Sequence, residues 1–183
     1  MLSTGGAHRA GAAEYRVPLL DPPAFDVEGV AMLDAELRSY AENLAAVACE
    51  DLLAPFFCPE AERLREVPGP VMENARKLMG LALHLEPRGR YAVVANAMLR
   101  EGRLPSPLRG RMAPQAFSSL MLRRAEALDE AGGDDNLRLR AYFLEVARVI
   151  DPRNEDAVYA FEIFQMDGHE VDWSPILGDE PAE

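Results

Sequence analysis

At 183 residues, with 49% apolar and 27% charged side chains, the chain has the size of one domain and enough apolar material to fold without a disulfide or metal staple. Two cysteines exclude a disulfide scaffold, and no run reaches the ~18–20 apolar residues of a membrane span. A net charge of −12 excludes nucleic acid as a partner for the surface as a whole.

The charge is unevenly spread. Residues 1–50 carry net −5, residues 51–150 net +2 and residues 151–183 net −9. Of the 19 basic residues only Lys77 is lysine, a bias that a GC-rich genome explains.

Residues 1–25 read as a flexible segment, opening on small residues without periodicity. The 7–15-residue apolar core of a signal peptide is missing. A cytoplasmic chain with a loose start is the favoured reading, and a start cut downstream of a membrane anchor is the other. After Asp21-Pro22-Pro23, Val30, Leu33, Leu37, Tyr40, Leu44 and Val47 step by three and four. The spacing predicts a helix from Val27 to Leu53, capped by Asp26 and ended by Pro55. Its seam suits packing within the chain, or a homodimer through the Val30–Val47 face.

Phe56 and Phe57 stand between Pro55 and Pro59 as an apolar plug, and a short helix is expected over Glu60–Glu66. Pro68-Gly69-Pro70 breaks the chain. An apolar stripe then runs from Val71 to Leu85, and a further helix from Arg90 to Arg100 ends at Gly102. A basic loop with Arg109 and Arg111 leads to a helix opening at Ala113-Pro114 and closing at Gly132-Gly133. Asp134 or Asp135 opens the next helix, which Asp151-Pro152 stops. Asn154 caps a last one over Glu155–Met166, ended by Gly168. Residues 169–183 read as an acidic tail whose Trp173, Ile176 and Leu177 are able to fold back. No strand pair is expected, because no Asn-Gly or Asp-Gly turn separates alternating runs.

One pattern occurs twice. Ala82, Leu85, Glu86, Pro87, Arg88 and Ala92 recur as Ala147, Ile150, Asp151, Pro152, Arg153 and Ala157. The offset of about 65 residues is close to twice a 34-residue period. These flanks resemble the tetratricopeptide repeat family, where small residues let paired helices approach and proline stiffens the turn into the next unit. Glu162, Arg100 and Gln165 depart from the family pattern, and the span from Gly102 to Asp134 exceeds a standard unit. The resemblance implies an all-α fold of antiparallel helix hairpins in a right-handed superhelix, over residues 26–168 with the long N-terminal helix. It implies protein–protein interaction, with a peptide or helix on a concave face lined by first helices. Tyr91, Val94, Met98, Tyr159 and Ile163 are the residues so nominated.

Arg100 and Arg103, with Arg88, Arg90, Arg109 and Arg111, form the one basic cluster in the sequence. It suits an acidic peptide, a phosphate or the chain's own acidic tail. No metal or cofactor is expected: His8, His84, His169, Cys49 and Cys58 are scattered, and His169-Glu170-x-Asp172 is a weak cation candidate. His84 reads as a packed residue, and the two cysteines as separate thiols. No nucleophile elbow, phosphate loop or dinucleotide turn is present, so no enzyme is expected. The rival readings are a dimerising structural domain without a ligand groove, and an enzyme of unrecognised type.

Overall fold

The computed structural model describes residues 15–178. Helices dominate: α1 (Asp34–Ala46), α2 (Gly69–Leu85), α3 (Arg90–Arg100), α4 (Pro114–Ala131), α5 (Asp134–Ile150), α6 (Glu155–Met166) and the single turn α7 (Ser174–Leu177). Among the described residues the fold is all-α apart from one two-stranded antiparallel hairpin, β1 (Phe57–Cys58) with β2 (Arg63–Leu64).

The helices form two three-helix units. In each, the first helix packs on the second and the third returns against both: α1–α2–α3, then α4–α5–α6. The repeated pattern is the joint of each unit. Helices α2 and α5 are both 17 residues long. They end alike, at Glu86 (φ −141°, ψ 83°) and Asp151 (φ −136°, ψ 91°), because the following proline forbids the helical region. Ala82, Ala147, Ala92 and Ala157 are all buried, which lets the backbones come close. The hydroxyl of Ser118, early in α4, donates to the carbonyl of Ala147, late in α5, at 2.8 Å, so this hairpin is antiparallel. Its two-residue turn uses Gly132 (φ 66°) and Gly133 (φ 87°), a backbone that side chains disfavour.

An aromatic centre joins the two units. Tyr40 of α1 stacks on Phe143 of α5, centroids 5.3 Å apart, and meets Phe117 of α4 edge-on at 5.7 Å. Asn154 caps α6 as expected, accepting from Ala157 N–H, and its amide also donates to Ser118 Oγ at 2.9 Å. Asn154→Ala is expected to cost about 1–2 kcal/mol, read as a shift in the urea midpoint without a change of slope.

Three expectations are corrected: the start of the first helix, the helix over Glu60–Glu66 and the absence of a strand pair. The first helix starts at Asp34, not Val27. Asp26 caps only a 3-10 turn over Val27–Gly29, and Asn136 Oδ1 then accepts Ala31 N–H at 2.8 Å and holds the chain extended. Glu36 caps the true start, accepting Leu33 N–H at 2.9 Å. The helix continues past Ala46 as seven residues of π-helix, Val47–Leu53. Val30, Leu37, Tyr40, Leu44 and Val47 of the seam are buried in the chain's own core, and Leu33 alone of the six is exposed; the seam is spent within the chain. Finally, the helix expected over Glu60–Glu66 is replaced by a 3-10 turn, Pro59–Ala61, and β2. Glu62 there takes a left-handed conformation (φ 49°), turning a hairpin without the usual turn dipeptides.

Both flanks fold onto the helices. Residues 15–31 run as a strap over α2 and α5. Arg76 donates to Arg16 O, and Arg138 to Ala24 O, while Ala24 and Phe25 enter the core. From the other end, Trp173, Ile176 and Leu177 are buried as well. Leu19 N–H donates to Ile176 O at 2.7 Å, so strap and closing segment lie side by side on α2. The flexible reading of residues 1–25 therefore does not hold for residues 15–25, and residues 1–14 lie outside the described residues.

Candidate protein-binding groove

Helix α6 is short, and its buried side is narrow: Ala157, Phe161 and Phe164. The 3.6-residue period turns the side chains between them outward. Tyr159 is 69% exposed, Ile163 37% and Met166 80%, large apolar groups of the kind that mark an interaction surface when they cluster. Tyr159 and Ile163 line a groove of about 560 Å³ between α6 and α4. Leu122 and Ala160 add apolar walls, and Arg123 and Glu126 of α4 form a charged rim. Arg140 on the floor is engaged, paired with Asp129 at 3.3 Å and lying 5.5 Å over the Phe164 ring.

The corresponding side of the first unit, between α1 and α3, holds the chain's own segment 104–112. Leu104 and Met112 pack on the core. Glu50, in the π-helical stretch, accepts Leu108 N–H at 2.8 Å and the Tyr91 hydroxyl at 3.2 Å. Asn43 Oδ1 accepts Met112 N–H at 2.7 Å. The Arg111 guanidinium grips both oxygens of Asp51 at 2.6 and 2.8 Å and reaches Glu50 at 3.3 Å, a two-pronged geometry that only arginine supplies. Burial first, then the neighbouring Cys49 and Glu50, hold the Tyr91 phenol well above its ordinary range. It stays a neutral donor.

The nominated residues thus fall into two sets. Tyr159 and Ile163 share the α4–α6 groove. Tyr91 is half-buried and bonded to Glu50, while Val94 is exposed and Met98 half-buried on α3. Arg100 and Arg103 are exposed at the end of α3, where Arg103 pairs with Glu101 at 3.2 Å. Arg111 is engaged with Asp51 and Glu50, so the basic residues do not act as one cluster. Sequence reasoning missed Leu122, Arg123 and Glu126 of the groove. The apolar stripe of α4 carries Leu122 beside the buried Met121 and Ala125, and only the packing of α6 shows which flank of that stripe stays open.

Among the described residues the tail makes no hydrogen bond or ion pair with Arg100, Arg103, Arg109 or Arg111. Trp173 Nε1–H donates to Glu145 at 2.7 Å, and Lys77 reaches the other Glu145 oxygen at 2.9 Å. Residues 179–183, where a clasp on the basic loop would also fall, lie outside the described residues. His169 stacks on Phe164, centroids 5.0 Å apart, and Asp172 accepts from Ser174. Among the described residues no three acidic, histidine or cysteine side chains gather as for a metal ion. Both cysteines are free. Burial, then Glu50, pushes the Cys49 thiol up to about 12, and Cys58 accepts from Arg65 and donates to Glu60.

Among the described residues no helix is long and apolar enough to cross a membrane. Compared with family models, with curated proteins and with solved structures, the chain matches none.

Proposed function

We propose that this chain is a protein-binding module, built as a right-handed superhelix of tetratricopeptide-like hairpins, whose α4–α6 groove takes a peptide from a partner protein. The observation that carries the reading is the exposure of Tyr159 and Ile163 in that groove. In water, such a surface gains by being covered, at about 25 cal/mol for each Å² of apolar area buried. The first unit supports it from within: the matching side there is covered by an extended segment, fixed by carboxylates and one arginine. The recurrence about Pro87 and Pro152 supports the family resemblance.

The test pairs a Tyr159→Ala/Ile163→Asp variant with the wild type. Both side chains point outward, so the variant is expected to keep its circular dichroism spectrum and melting temperature. A partner captured by the wild type is expected to bind the variant at least tenfold more weakly, measured by titration calorimetry with the purified partner. Equal affinity for wild type and variant would sink the groove reading. Loss of binding in a Val94→Asp/Met98→Asp variant instead would move the site to α3.

A further inference from the structure

His84 lies in the last turn of α2, 4% exposed, and both of its ring nitrogens are committed to the same segment. Nε2–H donates to Leu19 O at 2.8 Å, and Nδ1 accepts Ala24 N–H at 3.2 Å. A carbonyl only accepts and an amide only donates, so the pair of bonds defines a neutral imidazole with its proton on Nε2. The ring bridges the two ends of a five-residue step of the strap.

We propose that His84 is a proton-operated latch, whose protonation in mild acid releases the strap about residues 19–26 from α2 and α5 while both hairpins stay folded. The proton comes from solvent and adds to Nδ1. The new Nδ1–H then points at Ala24 N–H, donor against donor, and that bond is lost. Nε2–H keeps Leu19 as its acceptor. On the surrounding elements nothing offers the imidazolium compensation. From α5, Arg138 donates to Ala24 O and is itself a cation. Tyr142 of α5, reached through the Phe25 ring, is pushed up to about 12 by burial and stays uncharged. On α2, Arg76 lies two turns earlier, a second cation, donating to Arg16 O and Leu177 O. On the strap, Asp21 and Asp26 are exposed, and the Asp26 carboxylate accepts Glu28 N–H. From the closing segment, Asp172 offers its carbonyl to Tyr142 and its carboxylate to Ser174. Among the described residues no carboxylate bonds the ring.

Burial lowers the His84 value below its ordinary 6.5, against a smaller raising effect of the Leu19 bond. A lowered folded-state value means that the unfolded or released state binds more protons in between. The latch is therefore fully closed above about pH 6.5, and its hold is lost as the pH falls from there through the folded-state value. The released strap uncovers Ala24, Phe25 and the α2 face about Gly80, where Pro18 now packs.

The experiment is amide exchange on the full chain at pH 7.5 and pH 5.0, with intrinsic rates corrected for pH. Peptides covering residues 17–26 are expected to lose at least tenfold in protection at pH 5.0, while α4 and α5 hold theirs. His84→Gln keeps a donor toward Leu19 and does not titrate, so its strap is expected to exchange equally at both pH values. In parallel, the wild-type ring is titrated by NMR, and its midpoint is expected below 6.5 and equal to the midpoint of strap opening. Unchanged strap protection at pH 5.0, or strap and core opening together, would overturn the latch. So would a strap midpoint different from that of the ring, a result that stands even where the variant does not fold.

Discussion

Phe143→Ala is expected to destabilise the fold by about 3–5 kcal/mol, the range for deleting a fully buried aromatic ring. Phe143 is wholly buried on α5, and Tyr40 of α1 stacks flat against it at 5.3 Å. Tyr40 also meets Phe117 of α4, so removing the Phe143 ring takes away the stacked half of the aromatic contact between the two units and leaves the edge-on half. The void cannot be filled from solvent without wetting an apolar centre, so transfer and cavity terms add. At this chain length each kcal/mol moves the melting temperature by roughly 2–4 °C, so a fall of roughly 10 °C is the expected reading. The contrast is Tyr40→Phe. It keeps the stack and removes a hydroxyl that donates to Leu120 O at 3.4 Å and is bonded to Arg124, and is expected to cost about 1 kcal/mol. Equal effects of the two changes would show that the aromatic centre does not carry the inter-unit contact.

Gly80→Ala is the second large effect, and its sign is unusual. In a helix interior alanine normally gains about 1 kcal/mol over glycine. Here a Cβ would stand 2.4 Å from Ile176 Cγ2 and 3.2 Å from Pro18 Cβ. Ile176 is fully buried, so its methyl has nowhere to go unless the closing segment lifts. Overpacking of this kind costs about 1–3 kcal/mol. The site of strain has its own reporter: Trp173, the one tryptophan in the chain, is buried and bonded to Glu145. Gly80→Ala is expected to lower the melting temperature and shift the tryptophan emission to the red. Adding Ile176→Ala is expected to restore part of the blue-shifted emission, giving a coupling between the two sites. A more stable Gly80→Ala protein would refute this packing of the closing segment.

Local grammar carried most of the helices. Asn154, Gly102, Gly168 and the Pro87 and Pro152 joints each act through a residue or two of backbone, so one window of sequence holds the whole cause. The misses share a different cause. The Val27–Leu53 helix loses its first turns to Asn136, an amide more than a hundred residues away in sequence. The strap shows no periodicity because its bonds are backbone to distant side chains, His84, Arg76 and Arg138. The hairpin at residues 57–64 turns on Glu62, whose left-handed conformation no rule of composition would assign. On the candidate site, Tyr159 and Ile163 were nominated through the family resemblance, and the register of α6 places both on its outward side. Tyr91 and Arg111 were not, since their partners Glu50 and Asp51 belong to another helix.

The bond from Leu19 N–H to Ile176 O also sets an order of events. It joins places separated by most of the chain, and such contacts are made slowly, after local ones have narrowed the search. The α4–α5 hairpin, closed by a two-residue turn, has the local contacts that favour early formation. The loop closed by Leu19 and Ile176 adds little entropic cost for its length, since that cost grows only as a logarithm. Yet it awaits the docking of α2 and α5 beneath it. The same bond is therefore expected to form late on refolding and to open early, and the Leu19 amide is expected to exchange by a partial unfolding well below the free energy of the whole fold.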